Sequence, residues 1–248
     1  MVFITGDCHG NFQRFGSKYF LEQREMTCQD YVIICGDFGG VWDATPEETY
    51  WLDWLNNKPF TTLFVDGNHE NFDMLNALPE REWHGGKVHV VRENILRLTR
   101  GQAYEIGGKV FFTMGGARSH DIEDGILDPA ASDFEDRYFH LKRMGHRGFR
   151  VLGRSWWPEE LPSDGEYLTA METLERIGWR TDYVVTHCAP TNIALAMDRH
   201  NEADELSDFL ELVDQRLDYD CWFFGHFHGN RTVDRKHILL WEQIVRVL

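Results

Sequence analysis

One pattern recurs along the first third of the chain. A short apolar run ends in glycine and a polar residue, and a longer mixed stretch follows. Val2–Thr5 leads into Gly6-Asp7-Cys8-His9-Gly10, after which residues 11–26 read as a helix. Residues 31–35 lead into Gly36-Asp37-Phe38-Gly39-Gly40, and residues 46–58 read as a helix with Pro46 in its first turn. Residues 61–66 lead into Gly67-Asn68-His69-Glu70, with a shorter helix over 71–78. Asp7 and Asp37 are 30 positions apart, and Asp37 and Asn68 are 31 apart, close to the length of one strand–helix–strand unit. Such units predict parallel strands with each polar cluster at a carboxyl end, the edge where open α/β sheets bind ligands.

From Lys87 the pattern shortens. Residues 88–91, Ile95–Leu98, 103–106 and 110–114 are strand-like, and Gly107-Gly108 forms a hairpin turn. Residues 115–165 are the least regular part. Residues 166–177 read as a helix, and Tyr183–Thr186 as a strand ending at His187. A polar helix covers 204–217, and the strand Cys221–Phe224 ends in Gly225-His226-Phe227-His228-Gly229. Residues 231–247 close the chain as two or three antiparallel strands. No linker, repeat or low-complexity segment interrupts it, so residues 1–248 read as one domain with a cap-like insertion at about 115–165.

Composition narrows the function classes. The 248 residues carry 41 acidic and 25 basic side chains, a formal charge of −16. That balance argues against binding duplex nucleic acid over a broad face, which needs clustered Lys and Arg. A phosphorylated substrate stays open if bound cations supply the positive charge. The five cysteines (Cys8, Cys28, Cys35, Cys188, Cys221) are scattered and odd in number, as expected of small buried residues in a reducing compartment. A charge at Asp7 comes too early for a secretory signal, and no apolar run approaches the ~20 residues that span a bilayer. The expectation is a cytoplasmic protein without a membrane partner, its oligomeric state open.

Singly, each polar cluster is weak evidence, because a Gly-Asp after a strand is more often a turn. Together they place oxygen and imidazole ligands at five strand ends: Asp7 and His9, Asp37, Asn68 and His69, His187, and His226 and His228. Packing does not favour such residues there. Carboxylate, amide and imidazole suit Mn²⁺, Fe or Zn²⁺, and the lack of cysteine in the set argues against a structural zinc site.

In order, the five blocks resemble those of the calcineurin-like metallophosphoesterases, from residue 6 to residue 228. The resemblance implies a four-layer α/β/β/α sandwich of two mixed sheets flanked by helices, with a dinuclear metal site at the strand carboxyl ends. By motif, Asp7, His9 and His228 would hold one ion, Asn68, His187 and His226 the other, and Asp37 would bridge them. Mn²⁺ is the first candidate, with Fe, Zn²⁺, Co²⁺ and Ni²⁺ as alternatives. A water shared by two cations deprotonates readily to become the nucleophile, and the cations neutralise the phosphate oxygens. His69 fits a general acid for the leaving oxygen, or else a residue that only orients ligands.

The expected activity is hydrolysis of phosphate esters as a phosphodiesterase or phosphatase, on small-molecule, nucleotide or phosphopeptide substrates. Phe38-Gly39-Gly40 departs from the Val-Asp-Arg-Gly of the family's phosphoprotein phosphatases, so a phosphate-holding Arg is missing there. His228 is a second departure, since those phosphatases lack it. Both shift the expectation away from a serine/threonine phosphatase and toward nucleotide-type or other small anionic esters. Arg118 and His120, after the strand 110–114, are candidate substrate-binding residues. A metal-binding scaffold without activity is the other class, but no ligand position is missing. Between Arg137 and Arg154 six basic residues and no acidic ones occur in 18 positions. They form either a solvated face pairing with Asp133, Glu135 and Asp136 or with an acidic neighbouring subunit, or a cap that steers anions toward the metals. Trp156-Trp157 reads as core packing or, less readily, as a stacking surface.

Overall fold

The four-residue strands of the first third are buried on both faces, as parallel strands covered by helices must be. The computed structural model describes residues 1–197 and 202–248. In chain order its strands and helices are β1 (Val2–Thr5), β2 (Tyr31–Ile34), α1 (Pro46–Asn56), β3 (Thr61–Phe64), α2 (Phe72–Asn76), β4 (Glu80–Trp83), β5 (Gly86–Arg92), β6 (Ile95–Leu98), β7 (Gln102–Ile106) and β8 (Lys109–Met114). There follow β9 (Gly125–Leu127), α3 (Phe134–Met144), β10 (Phe149–Val151), α4 (Asp164–Arg176), β11 (Tyr183–Thr186), α5 (Thr191–Met197), α6 (Glu205–Arg216), β12 (Cys221–Phe224), β13 (Arg231–Thr232), β14 (His237–Leu239) and β15 (Val245–Arg246).

Two large mixed sheets result. One runs β15-β1-β2-β3-β6-β5-β4, and the other β13-β14-β12-β11-β8-β7. Within the first, β1, β2, β3 and β6 are parallel, and within the second β8, β11, β12 and β14 are. Val2, Ile4, Ile33, Leu63 and Leu96 of one sheet meet Phe111, Val185 and Phe223 of the other in a shared core. The outer face of the first sheet packs Phe3, Val32 and Phe64 under Phe15, Leu52 and Leu55. That of the second packs Phe112, Val184 and Trp222 under Leu174, Leu210 and Val213. The architecture is therefore helices, sheet, sheet, helices, as the sequence resemblance implies.

Residues 11–26 do not form the expected helix. They make two 3₁₀ turns, Gln13–Phe15 and Leu21–Glu25, with Gly16 extended between them. Phe12, Phe15 and Phe20 all point into the core, a spacing one helix face would also give, but the extended Gly16 breaks the run. The Gln23 amide donates to the Phe15 and Phe20 carbonyls at 3.1 and 2.6 Å, satisfying groups a helix would have paired.

The stretch expected to be irregular holds a helix, α3, and a parallel pair, β9 and β10. Leu127, Phe149 and Val151 form its small cluster with Phe134, Tyr138 and Leu141. The C-terminal segment also departs from expectation. Only β13 and β14 pair with each other antiparallel, β14 runs parallel to β12, and β15 crosses to the other sheet against β1. No cysteine is in a disulfide among the described residues; Cys8, Cys35 and Cys188 are buried, and Cys28 is exposed. No described helix is long and apolar enough to cross a membrane.

Candidate metal centre

Parallel order in both sheets sends β1, β2 and β3, and β8, β11 and β12, toward edges that meet at a seam. Hydrogen bonds cross it: the Gly116 N–H donates to the Asp66 carbonyl at 2.8 Å, and the His226 N–H donates to Asp7 Oδ1 at 3.0 Å. The loops after these strands turn sharply. Among the described residues seven non-glycines have positive φ, and four of them are His9, Asp37, His226 and His228. Non-glycine residues adopt that conformation only when their surroundings impose it, and they concentrate at functional sites. Two glycines make the approach possible. A Cβ on Gly67 would lie 2.0 Å from Asp37 Oδ1, and one on Gly225 would lie 2.2 Å from Asp7 Oδ1. No side chain fits either place.

The seam gathers the sequence-predicted residues. Ligand-type atoms of Asp7, His9 and His228 lie within 4.8 Å of one another, and so do those of Asp7, Asp37 and His187. His187 donates through Nδ1 to the Cys35 carbonyl at 2.7 Å, which turns Nε2 toward Asn68 Oδ1 at 3.2 Å and Asp37 Oδ1 at 3.4 Å. The His226 ring packs 5.0 Å from that of His187. His9 and His228 face each other with Nε2 atoms 3.1 Å apart, and Trp241 stacks on His228 at 5.0 Å. His69 donates its backbone N–H to Asp37 Oδ1 at 2.8 Å, and its ring sits 5.5 Å from that of His9.

Two buried atoms of this cluster have no hydrogen-bond partner, Asp7 Oδ2 and His226 Nε2. His228 Nε2 is 3.1 Å from Asp7 Oδ2, an ion-pair distance, and this carboxylate raises the affinity of the His228 ring for a proton. Buried polar atoms are nearly always paired, so acceptor atoms aimed together at one space call for a cation. Electrostatics agree. Burial opposes a charge on Asp37, yet the neighbouring His187, His69 and His9 hold its carboxyl below the usual range. Burial likewise opposes a charge on His187, but Asp37 and Asp7 outweigh it and push the imidazole up to about 10. His226 is held well below its ordinary value by burial and by His187, so its ring stays neutral with a lone pair to offer. The donor set therefore fits divalent ions of the Mn²⁺, Fe and Zn²⁺ class.

Several supporting residues escaped the sequence reading. Glu70 lay inside a motif without an assigned role. Its carboxylate accepts the Phe38 and Gly39 N–H groups at 2.7 and 3.2 Å and so shapes the loop that carries Asp37. Burial and the charge on Asp37 push its carboxyl up to about 8. Arg14 donates to the Asp7 and Trp241 carbonyls, each at 2.6 Å, tying the first loop to the C-terminal segment. Asp66, fully buried beside Gly67, pairs with Arg97 at 3.1 Å and with Arg100 at 2.7 Å. Asn68 leans on Ser119, which in turn leans on Glu160. Nothing in the spacing announced Arg14 or Glu160.

The candidate substrate side is mixed. His120 stacks 5.0 Å from the His226 ring. Arg118 is exposed, and among the described residues its ion-pair partner is Glu202 at 3.9 Å. In the basic segment, Arg150 pairs with Asp121, and His146 with Asp124 at 2.7 Å. Lys142 lies over Tyr138, and Arg154 over Phe134. These are not the acidic partners the sequence suggested. Arg150 is near enough to the centre that its charge, after burial, helps hold the His69 imidazole down. Trp157 is buried, packs edge-on to Trp42 and donates to Asp73 at 2.8 Å, which settles it as a packing residue. Beside the cluster lies an open cavity of about 290 Å³ lined by His9, Gly39, Trp42 and His69. A larger one, about 530 Å³, lies elsewhere, between Tyr183, Phe223, Ile238 and Val245.

The sequence model of the calcineurin-like phosphoesterases matches residues 1–230. Lariat debranching enzyme A of Xenopus laevis is 26% identical over 160 residues, which are 58% of this chain and 29% of that protein. The lariat debranching enzyme of Danio rerio is 27% identical over 142 residues, 51% of this chain and 24% of that protein. The human one is 26% identical over 160 residues, 58% of this chain and 28% of that protein. The matched part of the chain spans less than a third of the length of these relatives.

Proposed function

The chain belongs to the calcineurin-like phosphoesterase family, and from that premise we propose that it is a two-metal hydrolase of nucleotide-type or other small anionic phosphodiesters. The observation that carries this reading is the convergence of Asp7, His9, Asp37, His187 and His228 at the seam, with His226 Nε2 buried and unpartnered. Asp7, His9 and His228 would hold one ion, Asn68, His187 and His226 would hold the other, and Asp37 would serve both. When bound, two divalent ions neutralise phosphate-oxygen charge and make water more acidic.

The protein's own groups do the rest. Asp37, fixed by the N–H of His69, would offset the repulsion of two cations. His69, in the cavity wall, donates a proton to the leaving oxygen. Trp42, in the same wall, offers an apolar ring to an aromatic leaving group such as a nucleoside. His120, beside His226, is a substrate-side group, Arg118 keeps that role only by its place in the same loop, and Arg150 adds positive charge near His69. Three features favour a diester over a phosphoprotein monoester. Phe38-Gly39-Gly40 supplies no Arg for a terminal phosphate, His228 is present, and the relatives are named lariat debranching enzymes. Manganese is the metal we expect to support turnover best.

Initial rates on bis(p-nitrophenyl) phosphate and p-nitrophenyl phosphate, with Mn²⁺ and after chelation, test the reading. The diester should be the better substrate, and both activities should vanish with chelator and return with Mn²⁺. A strong preference for the monoester would overturn the diester assignment.

A further inference from the structure

Asn68 is the one amide among the proposed ligands, and an amide, unlike a carboxylate, has a wrong way round. Its Oδ1 can face a cation, whereas its NH₂ would repel one. Neighbouring hydrogen bonds decide which end faces the centre. Asn68, Ser119 and Glu160 are all buried, at 5%, 4% and 3% exposure. The Ser119 hydroxyl has one proton, which it donates to Glu160 Oε2 at 2.6 Å, while its backbone N–H donates to Glu160 Oε1 at 3.1 Å. With its proton committed, Ser119 Oγ can only accept on the side of Asn68. It does so, from Nδ2 at 3.1 Å.

The other end shows why such a lock is needed. His187 gives its Nδ1 proton to the Cys35 carbonyl, so whenever Nε2 is free to act as a ligand its lone pair points at Asn68 Oδ1, 3.2 Å away. Two acceptors face each other there, and only a proton or a cation between them makes the contact favourable. With neither in place, a free amide could turn over and donate to His187. The Ser119–Glu160 pair opposes that turn, because a turned amide would aim its oxygen at the Ser119 lone pairs.

We propose that Ser119 and Glu160 are positioning residues that hold the Asn68 amide with its oxygen toward the metal centre. Ser119 lies in the loop after β8, and Glu160 in the turn that closes the 115–165 stretch, so this stretch braces the centre. The inference rests on the two-metal reading given above.

Titration of the metal-stripped protein with Mn²⁺, followed by calorimetry, tests it without reference to turnover. The wild type should bind two ions. Ser119→Ala should weaken one of the two roughly 10–100-fold, the usual effect of losing a partner that orients a ligand. Ser119→Thr, which keeps an oxygen at the same place, should bind close to wild type. Glu160→Gln is the companion variant. Its amide can donate to Ser119 Oγ and free the serine proton to point at Asn68, so the same ion should weaken even if Ser119→Ala fails to fold. Wild-type affinity for both ions in Ser119→Ala or in Glu160→Gln would overturn the positioning role and leave the two-metal reading standing. A wild type that binds fewer than two ions would overturn the two-metal reading itself.

Discussion

At the scale of single residues, the centre is built from conformations and atoms that a stable fold would otherwise avoid. His9, Asp37, His226 and His228 all sit at positive φ, and His226 Nε2 is buried without a partner. Strain of this kind costs of order 1–3 kcal/mol per residue, so the surrounding loops must over-determine it. His69 is different. Its backbone belongs to the centre through Asp37, while its ring faces the cavity with Trp42 and His9. As a proton donor rather than a ligand, it predicts a selective defect. His69→Ala should keep its metal and slow esters with poor leaving groups about 10²–10⁴-fold, with a smaller effect on p-nitrophenolate esters. Equal slowing of both kinds, measured as kcat across a leaving-group series, would remove the acid role. Most of these residues were legible in the sequence, because each follows a strand and a glycine. Ser119, Glu160 and Arg14 were not, since an orienting hydrogen bond depends on long-range contact and leaves no spacing behind.

Elements explain where the sequence was right and where it was not. Strands buried on both faces, such as β1, β2, β3 and β11, give continuous apolar runs, and their limits were visible to within a residue or two. The segment 11–26 misled because Phe12, Phe15 and Phe20 recur at a spacing a helix face shares, whereas Gly16 breaks the run and the rings dock on a sheet. The C-terminal strands misled because pairing partners are chosen by the whole sheet, not by neighbours in sequence. One junction there carries its own pH dependence. His237 on β14 is buried, lies 3.4 Å from Asp214 and 2.9 Å from Asp234, and contacts Tyr219 and Trp222. Burial opposes its charge, but the two carboxylates raise its pKa above the ordinary 6.5. A raised folded pKa contributes stability that is complete below the unfolded value and is lost as pH rises through the folded one. Asp214 and Asp234 are held below their usual range despite burial, so their share is lost only on strong acidification. His237→Gln should therefore cost more stability in urea denaturation at pH 6 than at pH 9. An equal cost at both would show that His237 packs without being charged.

At the scale of the whole molecule, two sheets each present parallel carboxyl ends, and the centre exists only where those edges meet. The sequence showed the strand ends but could not show that they converge; the order of the motifs suggested it. The charge of −16 is likewise a poor guide to ligands, because the acidity is spread while the carboxylates that matter, Asp7 and Asp37, are few and buried. The central claim is that this seam holds two cations bridged by Asp37 and that phosphoester hydrolysis depends on them. Metal content and turnover measured together, on the wild type and on Asp37→Asn, test it most directly. The account predicts two Mn²⁺ per wild-type chain, turnover that rises with occupancy, and an Asp37→Asn protein with less metal and turnover reduced by roughly 100-fold or more. Full turnover in the stripped wild type, or wild-type metal content and turnover in Asp37→Asn, would contradict it.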